Sequence, residues 1–288
     1  MDFCQRHRPE CKIAFMRSPS LSIIIPTYNR AELLRLTLDS IVRQNIDPAD
    51  IETIVVDDGS SDNTRALVRS FNENRAPVKY FFQDDLGYRV ATARNLGIRN
   101  ATGKIVLFID SGIILAPDCI PEHIRSHNSA AWDMVVLGYI NFGDFGDHSK
   151  TNPDLREDIY TKCGDDIGKL SAPWALCWAG NISVKRDILV RIGLFDENYN
   201  FNWGVEDIDL GYRLYQYGCR FKLNRAASTT HHPHESDLAE KLKQEMVNKQ
   251  YFNSKFNNQD SLALLHAAHG VDLNMQLWEK SNYRSNIK

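Results

Sequence analysis

Over the first 115 positions, short apolar runs alternate with amphipathic stretches. Leu21–Pro26 (LSIIIP) reads as a buried strand, and Arg30–Gln44 then carries Leu33, Leu34, Leu38, Ile41 and Val42 on one helical stripe. The alternation repeats. Ile51–Asp57 predicts a strand, and Ser61 or Asp62 caps a helix running to Phe71. Val78–Gln83 predicts a strand, Tyr88–Arg99 a helix and Ile105–Ile109 a fourth strand. Strands alternating with helices of this length predict βαβ units and a mainly parallel sheet in an α/β fold.

After Pro117 the pattern loosens. Cys119–Asn128 predicts a helix and Asp133–Ile140 a strand. Asn141–Asp166 is rich in Gly, Asp, Asn and Pro and reads as a long loop, a kind that is usually functional or disordered. Trp174–Val184 returns to apolar and aromatic character. Val205–Tyr217 predicts a helix stopped by Gly218, followed by a strand at Cys219–Ala226. Ser236–Phe256 predicts a polar amphipathic helix and Ser261–His269 a short one, with only a weak tail beyond.

Composition narrows the class. The 288 residues are 43% hydrophobic and 25% charged, as in an ordinary globular protein. A net charge of -3 gives no support for a nucleic acid as the main partner. No run approaches the roughly 20 apolar residues that span a bilayer. The start, MDFCQRHRPECK, lacks the apolar core of a signal peptide, so a cytoplasmic setting is expected. The six cysteines (Cys4, Cys11, Cys119, Cys163, Cys177, Cys219) form no CxxC and read as reduced packing thiols. Cys4, His7 and Cys11 have no evident fourth metal ligand and read as part of a tail.

Candidate chemistry gathers at strand ends, where open α/β sheets place their ligands. Pro26-Thr27-Tyr28-Asn29-Arg30 offers a ring to stack on a base and two donors, or simply a turn into a helix. At Asp57-Asp58-Gly59-Ser60 an acid can accept from a base or a ribose hydroxyl. Arg94 sits on an apolar helical stripe and needs an anionic or carbonyl partner, for which Asp57, Asp58 and Asp110 are available. Asp110-Ser111-Gly112 ends the fourth strand with one acid where a pair is expected. Asp110 is a hard-cation or ribose ligand; Ser111 is a poor metal ligand.

Two later segments carry chemistry. Glu206, Asp207 and Asp209 open a helix directly after the aromatic loop Phe201-Asn202-Trp203-Gly204. Acids in a first turn stabilise a helix by about 0.3–1 kcal/mol each, and Asp209 can pair with Arg213. The same placement puts Glu206 or Asp207 where a general base faces a pocket. His231, His232 and His234 suit a metal or anion site, or an exposed polar loop.

Taken in order, SIIIPTYNR, IVVDDGSSDNT, DLGYRVATARNLGIRNATGKIVLFIDSG and FNWGVEDIDLGYRLYQYG resemble family 2 glycosyltransferases of the GT-A fold, over roughly Leu21–Glu235. The GYR…ARN and WGVEDIDL segments are also similar to bacterial chondroitin-polymerase domains and to the C-terminal part of β-1,4-galactosyltransferases. The resemblance implies a Rossmann-like sheet flanked by helices and an inverting transfer of a hexosyl or N-acetylhexosaminyl group. The donor would be a UDP-sugar and the acceptor is unknown.

By position, the resemblance implies that Pro26, Tyr28 and Asp58 hold the uridine, with Arg30, Arg94, Asp110 and Ser111 in the nucleotide site. Asp207 would be the catalytic base, beside Glu206, with Trp203 and Gly204 at the acceptor or donor sugar. Asp110 matches the first acid of the family's DXD motif, and His231 or His232, in a cluster with His234, an additional ligand of Mn²⁺ or Mg²⁺. Gly112 stands where the last DXD acid is usual, which leaves the cation's role open and makes a catalytically silent nucleotide- or glycan-binding protein the alternative. The implied organisation is an extension at 1–20, a GT-A domain at 21–235 and a helical extension at 236–288. Residues 21–118 would bind nucleotide and 119–235 the acceptor. The last extension reads as a lid or as a homo-oligomer contact.

Overall fold

The computed structural model of the chain describes residues 18–143, 151–233 and 237–285. Its eight-stranded sheet is mostly parallel in the first half and mixed in the second, in the order β3-β2-β1-β4-β7-β6-β8-β5. Strand β1 (Leu21–Thr27), buried along its whole length, pairs in parallel with β2 (Ile51–Asp57) and β4 (Ile105–Ile109). Strand β3 (Val78–Phe82) adds in parallel to β2. Strand β4 is a continuous apolar run and β1 is one broken by Ser22, because helices cover both faces.

Alternation along the strands builds two cores. Ile23, Ile25, Leu107 and Ile109 point to one side, against Leu34, Leu38 and Ile41 of α1 (Ala31–Val42) and Val68 and Phe71 of α2 (Thr64–Asn74). Ile120 of α4 (Cys119–Asn128) joins that side. Ile24, Val106 and Phe108 point to the other, against Ala91 and Ile98 of α3 (Val90–Asn100) and Ile208 and Leu210 of α7 (Glu206–Tyr217).

In the second half, β7 (Asn181–Lys185) runs antiparallel to β4 and to β6 (Met134–Phe142), and α6 (Arg186–Arg191) follows it. Strand β8 (Arg220–His231) is parallel to β6 and continues beyond Ala226. An irregularity lets it do so: Gly138 faces Asn224, whereas the next residue, Tyr139, faces Ser228. That extension carries β8 to the three-residue strand β5 (Ile113–Leu115), where His231 lies opposite Ile113.

Part of the expected loop Asn141–Asp166 is instead helix α5 (Glu157–Cys163), while residues 144–150 lie outside the described residues. Acidic Glu157 and Asp158 open α5 and Gly164, at φ 63°, closes it. A fully buried pair, Arg156 to Asp154 at 2.7 Å, anchors it, and Arg156 also donates to the Leu176 carbonyl at 3.0 Å. The polar composition of the segment concealed this internal bonding.

Helices α8 (Leu238–Phe256), α9 (Gln259–His266) and α10 (Gly270–Ser285) close the chain. Phe252, Leu264, Val271 and Leu273 from them enter the same core as α7. No described helix is long and apolar enough to cross a membrane.

Candidate active site

The loops after β1 and β2 are sewn together by one side chain. Asn29, at φ 49°, donates its backbone N–H to Ser60 Oγ (2.8 Å), and its Oδ1 accepts from the Ser61 N–H (2.8 Å). Pro26 lacks an N–H, and the β1–β4 ladder ends before it, at Ile24 opposite Phe108. Tyr28 is exposed and its hydroxyl donates to Asp85 Oδ2 (2.9 Å), a bond that raises the phenol's pKa. Arg30 precedes α1 and is half-buried.

The two acids of the β2 end part company. Asp57 is buried and accepts from the Ser60 N–H (2.7 Å) and the Tyr80 hydroxyl (2.6 Å), a structural role. Asp58 accepts from the Arg89 N–H (2.8 Å) and from Gln83. Burial raises the Asp58 pKa and these donors oppose the rise.

Arg94, buried on α3, joins the two halves of the site. Nη2 donates to Asp110 Oδ1 (3.0 Å) and Nη1 to Glu206 Oε1 (2.7 Å). Burial opposes its charge, but Asp110 and Glu206 hold its pKa well above the ordinary value. Of the partners expected for Arg94, Asp110 is found and Asp57 and Asp58 are not. Glu206 was not foreseen, because the sequence gives no sign that α3 and α7 meet. The Asp110 side chain stays 41% exposed, whereas Glu206 is 5% exposed and its Oε2 is buried without a partner.

Asp207 stands next to this network. Oδ1 accepts from the Ile208 N–H (2.8 Å) and Oδ2 from the Ala179 N–H (3.2 Å). Burial first, and then the Glu206 charge, push its pKa up to about 7, against Arg94 and the two N–H donors. Asp207 nevertheless keeps some exposed surface, so water tempers that rise. Asp209 has no such freedom: it pairs with Arg213 (2.6 Å), as its spacing predicts, and with Lys255 (2.6 Å).

The loop before α7 is strained. Phe201, Gly204 and Val205 all have positive φ, at 74°, 86° and 77°, and they flank Trp203. Helix α8 holds it in place. Asn248 Nδ2 donates to the carbonyls of Gly204 (2.7 Å) and Asn202 (3.2 Å), and Gln244 Oε1 accepts from the Trp203 N–H (3.0 Å). Lys241 Nζ lies 5.1 Å from the centre of the Trp203 ring. These α8 residues escaped the sequence reading; their only signal was polar side chains at helical spacing on an inward face.

At the β4 end, Ser111 is buried and Gly112 has φ 96°. Gly112 donates its N–H to Thr37 Oγ1 (2.9 Å) and accepts from the His232 N–H (2.9 Å). A Cβ there would meet Leu33 at 3.5 Å, so backbone conformation rather than space restricts the position to glycine. Burial lowers the His231 pKa, with Asp110 opposing and Arg30 and Lys241 adding to the fall. His232 Nδ1 is buried without a partner. His234 lies outside the described residues.

A resident cation does not fit this donor set. Among the described residues no three His, Cys, Asp or Glu side chains come together to hold one, and Asp110 already engages Arg94. Asp110 and the two histidines offer donors only to a cation that brings further ligands with it.

Comparison with known proteins places this geometry. The family described as Glycosyl transferase family 2 matches residues 22–192, and that described as N-terminal domain of galactosyltransferase matches 165–235. Validoxylamine A glucosyltransferase of Streptomyces hygroscopicus subsp. limoneus is 36% identical over 263 residues, 82% of this chain and 57% of the relative. Chondroitin synthase of Escherichia coli is 33% identical over 242 residues, 73% of this chain and 34% of the relative. The chain thus spans about three fifths of the length of the validoxylamine A glucosyltransferases it matches, 57% and 61%.

Among solved structures, the mannosyltransferase PcManGT from Pyrobaculum calidifontis, in complex with GDP-Man and Mn²⁺, has a TM-score of 0.65 at 20% identity, covering 91% of this chain and 74% of that one. S. aureus TarS 1-349 in complex with UDP-GlcNAc has 0.63 at 17%, covering 87% and 72%. These similarities show a shared GT-A fold. With the family match extending from β1 through α6, the chain belongs to glycosyl transferase family 2.

Proposed function

We propose that this chain transfers a sugar from a UDP-linked donor to an acceptor hydroxyl, inverting the anomeric carbon. The observation that carries the reading is Asp207, a carboxylate of raised pKa with an open side, beside the Arg94–Asp110–Glu206 network at the strand ends. A hexosyl or N-acetylhexosaminyl donor is in keeping with the names of one relative, a glucosyltransferase, and of one structural neighbour, TarS in complex with UDP-GlcNAc.

The reading gives each residue a part. Tyr28, Pro26 and Asp58 receive the uridine, and Arg30 and Ser111 border its phosphates. Glu206 Oε2, buried and unpaired, accepts a hydroxyl of the donor or acceptor sugar. Trp203 and Gly204 border that sugar. Asp207 removes the acceptor proton as the acceptor oxygen attacks C1 from the face opposite the diphosphate. The C1–oxygen bond to the diphosphate breaks, and the diphosphate leaves with the electron pair. Were a divalent cation to bind, Asp110, His231 and His232 would be the donors this chain offers it, and it would supply positive charge to stabilise the leaving group. The cytoplasm is the proposed setting, in keeping with the buried free thiols Cys119, Cys163, Cys177 and Cys219.

The test is incubation with a panel of UDP-hexoses and UDP-N-acetylhexosamines, with and without Mn²⁺, followed by assay of free UDP. Release above the buffer rate from at least one donor is expected. No release from any donor, together with no UDP binding, would contradict the reading.

A further inference from the structure

We infer that a cavity at the edge of the sheet opposite the strand-end site is a second binding site, for a small anion that also carries hydroxyls, of the sugar-phosphate class. The inference goes beyond the nucleotide-sugar reading, and none of its residues belongs to the strand-end site described above.

The topology sets the cavity apart. Its wall includes Ser20, which precedes β1, Lys104, which precedes β4, and Lys185 and Arg186, where β7 gives way to α6. Strand β7 runs antiparallel to β4 with Lys185 opposite Ile105, so all four lie where β1 and β4 begin. Tyr28 and Asp110 lie where those strands end. The stretch from Lys104 to Asp110 spans about 20 Å at the rise of a strand. The cavity's volume, about 660 Å³, is in the range of small-molecule sites.

Two residues of the wall carry charge that the protein does not answer. Arg186 donates its backbone N–H to the Lys104 carbonyl (2.9 Å), which holds the two residues side by side, and its Nε to the Ile98 carbonyl (3.1 Å). Among the described residues neither Lys104 nor Arg186 pairs with a carboxylate. The other charges of the wall are answered: Lys185 by Asp133 (2.9 Å) and Asp187 by Arg191 (3.2 Å). A phosphate monoester, at a charge of about -1.5 to -2 near neutral pH, matches the two cations left over.

The same wall holds a buried acceptor with nothing to accept. His127 of α4 is 4% exposed, and its tautomer follows from its neighbours. Asn181 Nδ2 donates to the Ala227 carbonyl (2.9 Å), so it is Asn181 Oδ1 that faces His123 Nε2 (2.8 Å) and accepts from it. Burial pushes the His123 pKa down to about 4, so the ring is neutral and its Nδ1 accepts the Ser183 hydroxyl proton (2.8 Å). Ser183 Oγ has then spent its only proton and accepts from His127 Nε2–H (2.9 Å). His127 is neutral too, since burial pushes its pKa down to about 3. Its Nδ1, on the side of the ring away from Ser183, is therefore a bare lone pair without a partner. Leaving such an acceptor unmet is unfavourable. A hydroxyl supplies the missing proton, and a fully deprotonated anion does not. Sugar phosphates combine the two requirements in one small molecule.

The test is a ligand-observed NMR titration of glucose 6-phosphate and glucose 1-phosphate, with glucose and sulfate as competitors. It uses wild type, Lys104→Gln, Arg186→Gln and His127→Phe, with exposed Lys243→Gln as the control and thermal melts to verify folding. At least one sugar phosphate is expected to bind, with glucose and sulfate each weaker by tenfold or more. Lys104→Gln and Arg186→Gln should each weaken it on the order of tenfold, with Lys243→Gln unchanged. His127→Phe should bring it down to the level of sulfate. Should His127→Phe fail to fold, the exposed Lys104→Gln and the sulfate comparison decide the question. No binding of either sugar phosphate at about 10 mM would overturn the site. Sulfate competing in wild type as well as the sugar phosphate binds would overturn it too, since only a patch of charge would then be at work. Binding untouched by both Lys104→Gln and Arg186→Gln would put the ligand elsewhere on the molecule and equally overturn it.

Discussion

Arg94 on α3 and Glu206 on α7, 112 residues apart in sequence, meet in a buried ion pair of 2.7 Å. The pair joins α3 to the helix that carries Asp207, alongside the core in which Ala91 and Ile98 of α3 pack with Ile208 and Leu210 of α7. Removing the arginine strands a carboxylate that is 5% exposed. Arg94→Met is therefore expected to lower stability by about 3–5 kcal/mol, with Arg94→Lys losing less. Urea unfolding checks this, and a loss below about 1 kcal/mol for Arg94→Met would show that the pair is not structurally important.

The raised Asp207 pKa gives a pH dependence with a definite sign. A base must be deprotonated, so transfer should rise with pH through about 7 and fall away below it. Glu206 is the second cause of that rise, after burial, so Glu206→Gln should move the acidic limb to lower pH in whatever activity remains. Stability runs the other way. The folded carboxylate keeps a proton that the unfolded one releases, so this group's contribution falls as pH rises from about 4 to about 7. Asp207→Asn should flatten that part of the stability profile. Rate profiles and unfolding across this range measure both; an unchanged slope would exclude Asp207 as the titrating group.

Placing an acid at position 112 should not be neutral. Gly112 sits at φ 96° with its N–H and carbonyl both engaged, by Thr37 and His232. Gly112→Asp and Gly112→Ala are both expected to destabilise by about 1–2 kcal/mol, because strain in the backbone rather than lack of room opposes a Cβ. Thermal unfolding of the two variants checks this. Wild-type melting of both would mean that the turn tolerates a side chain.

The first half of the fold was legible because its strands are buried on both faces and its helices are amphipathic. β1, β2 and β4 lie where their apolar runs end, and the carboxyl ends of these strands are where Tyr28, Asp58 and Asp110 were sought. Arg94 was legible as a buried charge, since an arginine on an apolar stripe has to be paired. Its partner Glu206 was not legible, because no local pattern encodes contact between α3 and α7. Nor was β5, whose three residues are too few to show a period, or α5, whose polar residues bond internally. The weak apolar stripe of α10 hid that helix although Val271 and Leu273 are buried.

Asn248 tests whether α8 supports the loop that leads into α7. It is buried, and its amide satisfies the carbonyls of Asn202 and Gly204 in a loop with three positive-φ residues. Asn248→Ala should leave those carbonyls unpaired, lower stability by about 1–3 kcal/mol and speed hydrogen exchange at residues 200–206. Exchange unchanged there would mean that the loop holds its strained conformation without α8.

The central claim is that Asp207 is the base of a nucleotide-sugar transferase, and Asp207→Asn tests it most directly. The isosteric amide can still accept one of the two N–H bonds that Asp207 receives, but it cannot act as the base. The measurement is UDP affinity and UDP release from the active donor, on wild type and variant in parallel. The account predicts UDP affinity within about twofold of wild type and a rate reduced by roughly 10²–10⁴. A variant that transfers at the wild-type rate, or a wild type that binds UDP yet turns over no donor, would contradict it.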